Sequence, residues 1–158
     1  MTTINENLTE LINAINHISL NHEDLMGSVL SFSKNYSKIN KKNYLIIDKF
    51  FANNIFIDQS LMAAREGIVL GMNAMTLDEN ISFNILVDSC VNIESQRFSE
   101  KEICEDENTI IIMQDFLREL RKEMFSRVYS KNKDFIKISK LSKDTLKQRY
   151  EIFMKGIF

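Results

Sequence analysis

Proline is absent from this 158-residue chain, and glycine occurs only 4 times. Because proline is the residue that most strongly interrupts a helix, its absence permits long helices and favours an all-α fold. No apolar run approaches the roughly 18 consecutive residues that a membrane-spanning helix needs. The N-terminal sequence also lacks a basic start followed by an apolar core, so we expect a cytoplasmic protein.

Thiol and imidazole side chains are equally scarce. The chain has 2 cysteines, Cys90 and Cys104, and 2 histidines, His17 and His22. Two cysteines in a chain of this length do not make a disulfide framework, and none of the four residues has partners at metal-ligand spacing. We therefore expect no metal and no other cofactor, with both cysteines acting as small buried apolar residues.

Composition indicates one globular domain over residues 1–158. Apolar residues make up 44% of the chain and charged residues 27%, which is ordinary for a folded protein. Charge is uneven, because residues 1–116 carry 8 basic against 17 acidic side chains and residues 117–158 carry 12 against 5. An acidic body with basic C-terminal helices predicts either an anionic partner or neutralisation within the fold, and the second is the simpler interpretation.

Four helices are predicted in the first half of the chain. Thr3 and Glu6 form a capping box ahead of a helix over about residues 3–18. Asn21 is a candidate cap for a second helix, with acidic residues in its first turn. Apolar spacing predicts a third helix over 41–56 and a fourth from Asp58 to about Thr76.

Residues 79–94 fit two periodicities. Apolar side chains at odd positions from Ile81 to Ile93 suit a half-buried strand, whereas Phe83, Leu86 and Cys90 share one face of a helix. We favour the helix because a lone strand has no partner. The alternative is a minor β-hairpin between 81–87 and 135–141.

The last part of the chain carries two helical patterns. Ser99 and Glu102 form a capping box before a long helix whose apolar residues recur in a heptad seam: Ile103, Ile110, Met113, Leu117, Leu120 and Met124. A final helix is predicted from about Asp144 to Lys155. The whole pattern predicts a single compact bundle of about six to seven helices.

A stripe of small residues interrupts the fourth helix. Ala63, Gly67 and Gly71 follow one another at four-residue steps and so lie on one helix face without side-chain bulk. Glycine inside a helix costs about 0.5–1 kcal/mol relative to alanine, so the stripe should serve a close helix crossing. The crossing helix can belong to the same chain, which is the more frequent case in water, or to a partner such as a second copy. If the partner is external, the contact surface comprises Ala63, Gly67, Gly71, Met62, Met72 and Met75, since methionine adapts to irregular surfaces.

Basic residues near the C-terminus form the competing candidate site. They are Arg127, Lys133, Lys137, Lys140, Lys143, Lys147 and Arg149. Residues 141–150, LSKDTLKQRY, resemble the start of a helix-turn-helix recognition helix. In that resemblance Ser142 would cap the helix, and the residues facing the groove would be Lys143, Thr145 and Lys147. The resemblance covers ten residues, and Lys140 stands where that family has a turn glycine. It implies a small nucleic-acid-binding regulator.

No catalytic motif is present in the sequence: there is no glycine-rich phosphate loop, nucleophile elbow or His-Glu metal helix. We therefore predict a protein that is not an enzyme. The expected function is protein–protein interaction, as an adaptor, a chaperone or an inhibitor-type regulator that binds a partner through an apolar helix face. Nucleic-acid binding through the C-terminal helices is the alternative, a homodimer is an expected assembly, and no membrane partner is expected.

Overall fold

Five α-helices and one π-helical turn account for nearly all of the described chain. The computed structural model describes residues 22–39, 47–49, 54–77, 79–97, 106–131 and 141–157. The helices are α1 (His22–Ile39), α2 (Asn54–Thr76), α3 (Asn80–Arg97), α4 (Glu107–Lys131) and α5 (Lys143–Ile152), which continues into the π-helical turn Phe153–Ile157. Over these ranges the prediction of an all-α fold is confirmed, with six helical elements against the six to seven expected.

The helix assignment for residues 79–94 is confirmed, and the hairpin alternative is not supported. Residues 81–87 lie inside α3, where Phe83, Leu86 and Cys90 are buried together. The odd-numbered residues Ile81 and Ile85, which suggested a strand, are instead 72% and 61% exposed on the outer side of the helix. Residues 135–140, the proposed partner strand, and the predicted helix 3–18 lie outside the described residues. Of the predicted helix over 41–56, residues 47–49 are described and helical, and residues 54–56 are described as the start of α2.

The described starts of α2 and α4 differ from the predicted positions. Helix α2 begins at Asn54, four residues before Asp58, and ends at Thr76 as expected. Helix α4 begins at Glu107, where the backbone carbonyl of Asp106 accepts a hydrogen bond from the Ile110 amide at 2.9 Å. The Thr109 hydroxyl donates to the Asp106 carboxylate at 2.7 Å. Ser99 and Glu102, the predicted capping box, lie outside the described residues.

Helices α2 and α4 form a closely packed parallel pair. Gly67 lies against Arg121, and Gly71, one turn later, lies against Phe125, also one turn later. Because the contacts advance in the same direction along both helices, the two axes run parallel. Helix α3 lies between them in sequence and packs against the C-terminal part of α2.

The predicted heptad seam lies inside this pair. Met113, Leu117, Leu120 and Met124 are all buried, and Ile110 packs against the same core from a partly buried position. Together with buried residues of α1 and α2 they form the larger apolar cluster. A smaller cluster lies toward the C-terminal end of α2, where the centroid of the Phe153 ring lies 5.6 Å from that of Phe83 and 5.3 Å from that of Phe125. Burial of these two clusters is the main stabilising contribution that the described contacts provide.

None of the described helices contains an apolar stretch long enough to span a lipid bilayer.

Candidate functional site: a groove beside α4

The small-residue stripe of α2 is occupied by α4 of the same chain. A Cβ atom added at Gly67 would lie 2.5 Å from the backbone oxygen of Arg121, and one added at Gly71 would lie 2.5 Å from the ring of Phe125. Ala63 is fully buried beside them. The internal crossing is therefore the contact that these small residues make in the described structure.

The three methionines beside the stripe point in different directions. Met72 and Met75 are buried in the larger apolar cluster, whereas Met62 is 47% exposed. Of the six residues predicted to contact a partner, Met62 alone reaches the surface. A partner that binds this chain without unfolding it must therefore use other residues for most of its contact.

The basic candidate residues are also dispersed. Arg149 is 4% exposed, and its guanidinium donates to the carbonyl oxygens of Ala74, at 3.2 Å, and of Leu77. The same guanidinium lies 4.7 Å from the centre of the Phe83 ring. It binds the last carbonyls of α2, a position that favours a cation.

Arg127, the next basic candidate, donates to Glu123 one turn earlier on α4, at 3.1 Å. Lys143 and Lys147 are exposed on α5. Ser142 caps that helix as predicted, since its hydroxyl oxygen accepts from the Thr145 amide at 3.1 Å. Lys133, Lys137 and Lys140 lie outside the described residues.

A groove of about 510 Å³ runs along the outer side of α4, with α1 as one wall and the π-helical turn as the other. Helix α4 supplies the floor and α1 supplies the aromatic wall. The lining residues are Phe32, Asn35 and Tyr36 from α1, Asp115, Glu119, Lys122, Glu123 and Ser126 from α4, and Met154 from the π-helical turn. This volume lies within the range of about 300–1,000 Å³ that is typical of ligand pockets.

Three carboxylates line the floor of the groove in one row. Asp115, Glu119 and Glu123 follow at four-residue steps, so the row is about 12 Å long at 1.5 Å per residue. Glu119 lies 3.4 Å from Lys122, and Glu123 is paired with Arg127. Asp115 accepts a hydrogen bond from the Tyr36 hydroxyl at 2.6 Å, and no basic side chain of the described residues forms an ion pair with it. Within the described part of the chain, the unpaired end of the row is therefore at Asp115.

The aromatic wall of the groove is held in place by packing from behind. Phe32 and Tyr36 stand one turn apart on α1, and the Phe116 ring lies 5.4 and 5.3 Å from their ring centres. Phe56 of α2 contacts Phe116 from the other side, at 5.7 Å. Four rings from three helices thus hold the wall in place through contacts within this chain.

The groove offers groups that can form ion pairs, hydrogen bonds and apolar contacts. Its polar groups are carboxylates, an amide, a lysine and hydroxyls, and its apolar groups are two rings and a thioether. Over the described ranges, no group of three or more His, Cys, Asp or Glu side chains is placed to hold a metal ion. Such a lining can recognise a partner that carries both an apolar and a polar surface.

This groove was not predicted from the sequence. The one signal that the sequence contains is the spacing of Asp115, Glu119 and Glu123, which places three acids on one face of a helix. Nothing in the sequence indicated that α1 and the π-helical turn flank that face.

No protein-family model matches this chain, and neither a curated protein nor a solved structure matches it.

Proposed function

We propose that this chain is a non-catalytic protein-binding module of the adaptor, chaperone or inhibitor type, and that a partner segment binds in the groove beside α4. The observation that carries the proposal is the groove itself: an open volume of about 510 Å³ with a preformed aromatic wall. The expected apolar contact is provided by Phe32, Tyr36 and Met154 rather than by the methionines beside the small-residue stripe.

The shape of the groove favours a chain segment over a small metabolite. It is partly open to solvent, and its row of polar side chains extends over about two turns of helix. A peptide segment can contact the floor with several side chains while one apolar residue packs against the wall. Peptide recognition in a groove beside helices commonly uses this division between anchor and rim.

Peptide selection with one blocking variant tests the proposal. A displayed library of random peptides is selected on the immobilised 158-residue chain, and the affinity of the retained peptides is measured by fluorescence anisotropy. Asn35→Trp introduces an indole at an exposed position of the groove wall and should abolish binding. Asn84→Trp introduces the same side chain at an exposed position of α3 and should leave binding unchanged.

Two outcomes of this selection oppose the proposal. If no peptide is retained above background, or if the retained peptides bind Asn35→Trp as tightly as the unchanged chain, the groove is not the binding site. Loss of binding in Asn84→Trp would indicate that the peptides bind on the outer side of α3, where Ile81 and Ile85 are exposed.

Nucleic-acid binding is the second candidate function, supported by Lys143 and Lys147, which are exposed one turn apart on a correctly capped helix. Phosphate contacts make affinity fall steeply with salt, whereas groove binding through apolar contacts changes little. Anisotropy titrations with mixed-sequence DNA and RNA at two salt concentrations separate the two functions. Binding that disappears at high salt and in Lys137→Glu with Lys147→Glu would favour this alternative; no binding at low salt would oppose it.

A further inference from the structure

Charged side chains are distributed unevenly along the groove. Three of its lining residues are acids and one is a lysine, so the lining carries an excess of negative charge. Glu119 and Glu123 each have a basic neighbour within 3.4 Å, whereas Asp115 has no ion-pair partner among the residues that the structure describes. Over the described ranges, the unpaired negative charge therefore lies at one end of the groove, beside the aromatic wall.

Asp115 is oriented by the fold rather than by a partner. Tyr36 is buried, and its hydroxyl donates to one oxygen of the Asp115 carboxylate at 2.6 Å. A carboxylate has two oxygens and about four lone-pair positions, so one such bond fixes its plane and leaves acceptor capacity toward the groove. An exposed carboxylate held in one orientation loses less conformational entropy when it binds a cation than a mobile one does.

The apolar part of the groove adjoins this carboxylate. The Phe32 and Tyr36 rings stand on the same wall as the Tyr36–Asp115 hydrogen bond, and Met154 lies on the other wall. Arginine and lysine have the complementary construction, with an aliphatic stem and a charged end. Their cationic ends are also attracted to the faces of aromatic rings.

We infer that the partner segment carries a basic side chain, whose cationic end binds Asp115 and whose stem packs against Phe32 and Tyr36. This inference rests on the proposed function, because it names the chemistry of the segment that the groove binds. Arginine is preferred to lysine, since its planar guanidinium can both bind a carboxylate through two N–H groups and stack on a ring.

The test uses the peptides retained by the unchanged chain in the selection above. Arginine or lysine should be enriched in them next to an apolar residue. Asp115→Asn should weaken their binding by about tenfold or more, because hydrogen bonds to a charged group contribute about 1.5–3 kcal/mol. The asparagine side-chain oxygen can still accept from Tyr36, so the wall stays in place. Asp88→Asn, at an exposed position within α3, is the matched control and should change nothing.

A second set of peptides completes a double-mutant cycle. Replacing the basic residue of a retained peptide by glutamine should weaken binding to the unchanged chain by the same factor. The glutamine peptide should then bind Asp115→Asn and the unchanged chain equally well.

The outcomes distinguish this inference from the proposed function. If peptides depend on the groove, as judged by Asn35→Trp, but are neutral or bind Asp115→Asn unchanged, the basic anchor is wrong and the protein-binding function stands. If no peptide depends on the groove, the proposed function is wrong and the inference falls with it.

Discussion

Alanine substitutions at two glycines should change stability in opposite directions. Gly67 and Gly27 both lie inside helices, so alanine gains about 0.8–1.0 kcal/mol in helix propensity at either position. At Gly27 a new Cβ would meet nothing within 4 Å, so Gly27→Ala should stabilise the protein by about that amount. At Gly67 the new Cβ would lie 2.5 Å from the Arg121 backbone oxygen and 3.0 Å from the Arg121 Cα, well inside the 3.4 Å at which ordinary contact begins.

The contact atoms at Gly67 decide the sign of the effect. A backbone oxygen and a Cα cannot rotate away as a side chain can, so α2 and α4 must separate locally. Overpacking of this kind costs about 1–3 kcal/mol, and the upper part of that range applies where backbone is displaced. After the propensity gain, Gly67→Ala should destabilise the protein by about 1–2 kcal/mol.

Urea unfolding followed by circular dichroism measures both variants. We expect Gly27→Ala to unfold at higher urea and Gly67→Ala at lower urea than the unchanged chain, with similar denaturant slopes. In thermal unfolding the two midpoints should move apart, at about 2–4 °C per kcal/mol for a chain of this size. If both alanine variants are stabilised, the close crossing of α2 and α4 is wrong.

Two further predictions concern buried arginines. Arg149→Met keeps the aliphatic stem but leaves the carbonyls at the end of α2 without their cation, which should lower the free energy of unfolding by about 2–3 kcal/mol. The exposed control Lys147→Met should change it by no more than about 0.5 kcal/mol in the same urea assay. Equal effects of the two substitutions would contradict the capping role of Arg149. Arg121 is 1% exposed and lies 3.9 Å from Glu66, so Arg121→Met should cost about 3–5 kcal/mol, and Arg121→Met with Glu66→Met should recover much of that loss. Strictly additive effects in this double-mutant cycle would show that the two charges are not coupled.

Much of the helical architecture could be predicted because its signals are local. The heptad seam places Leu117, Leu120 and Met124 on one side of α4, and the structure buries all three. Likewise, the cap at Ser142 is a contact between residues three apart, so its residue types suffice to identify it. The small-residue stripe was recognisable for the same reason, since Gly67 and Gly71 mark one helix face.

The site could not be predicted, because it is made by contacts between residues distant in sequence. Tyr36 and Asp115 are hydrogen-bonded although 79 positions separate them, and the Arg149 contact to Ala74 spans 75 positions. A periodic pattern shows which face of a helix is apolar, but it does not show which other helix covers that face. For Arg149 the basic composition of the segment suggested an exposed phosphate contact. In the structure Arg149 is buried, and its guanidinium donates to a carbonyl near the end of α2.

The net charge of a chain segment therefore does not determine the charge of a site to which that segment contributes. The basic C-terminal quarter suggested an anionic partner, yet its Arg121, Arg127 and Arg149 have partners within the fold. The same quarter contributes Glu119 and Glu123 to the floor of the groove. What a partner meets is the local field of the exposed groups, and net charge along the sequence does not determine that field. The carboxylate that binds the proposed basic side chain, Asp115, belongs to the acidic body, and the groove residues of the basic segment include two further acids, Glu119 and Glu123. A basic partner is thus consistent with the charge pattern once the internal pairs are accounted for.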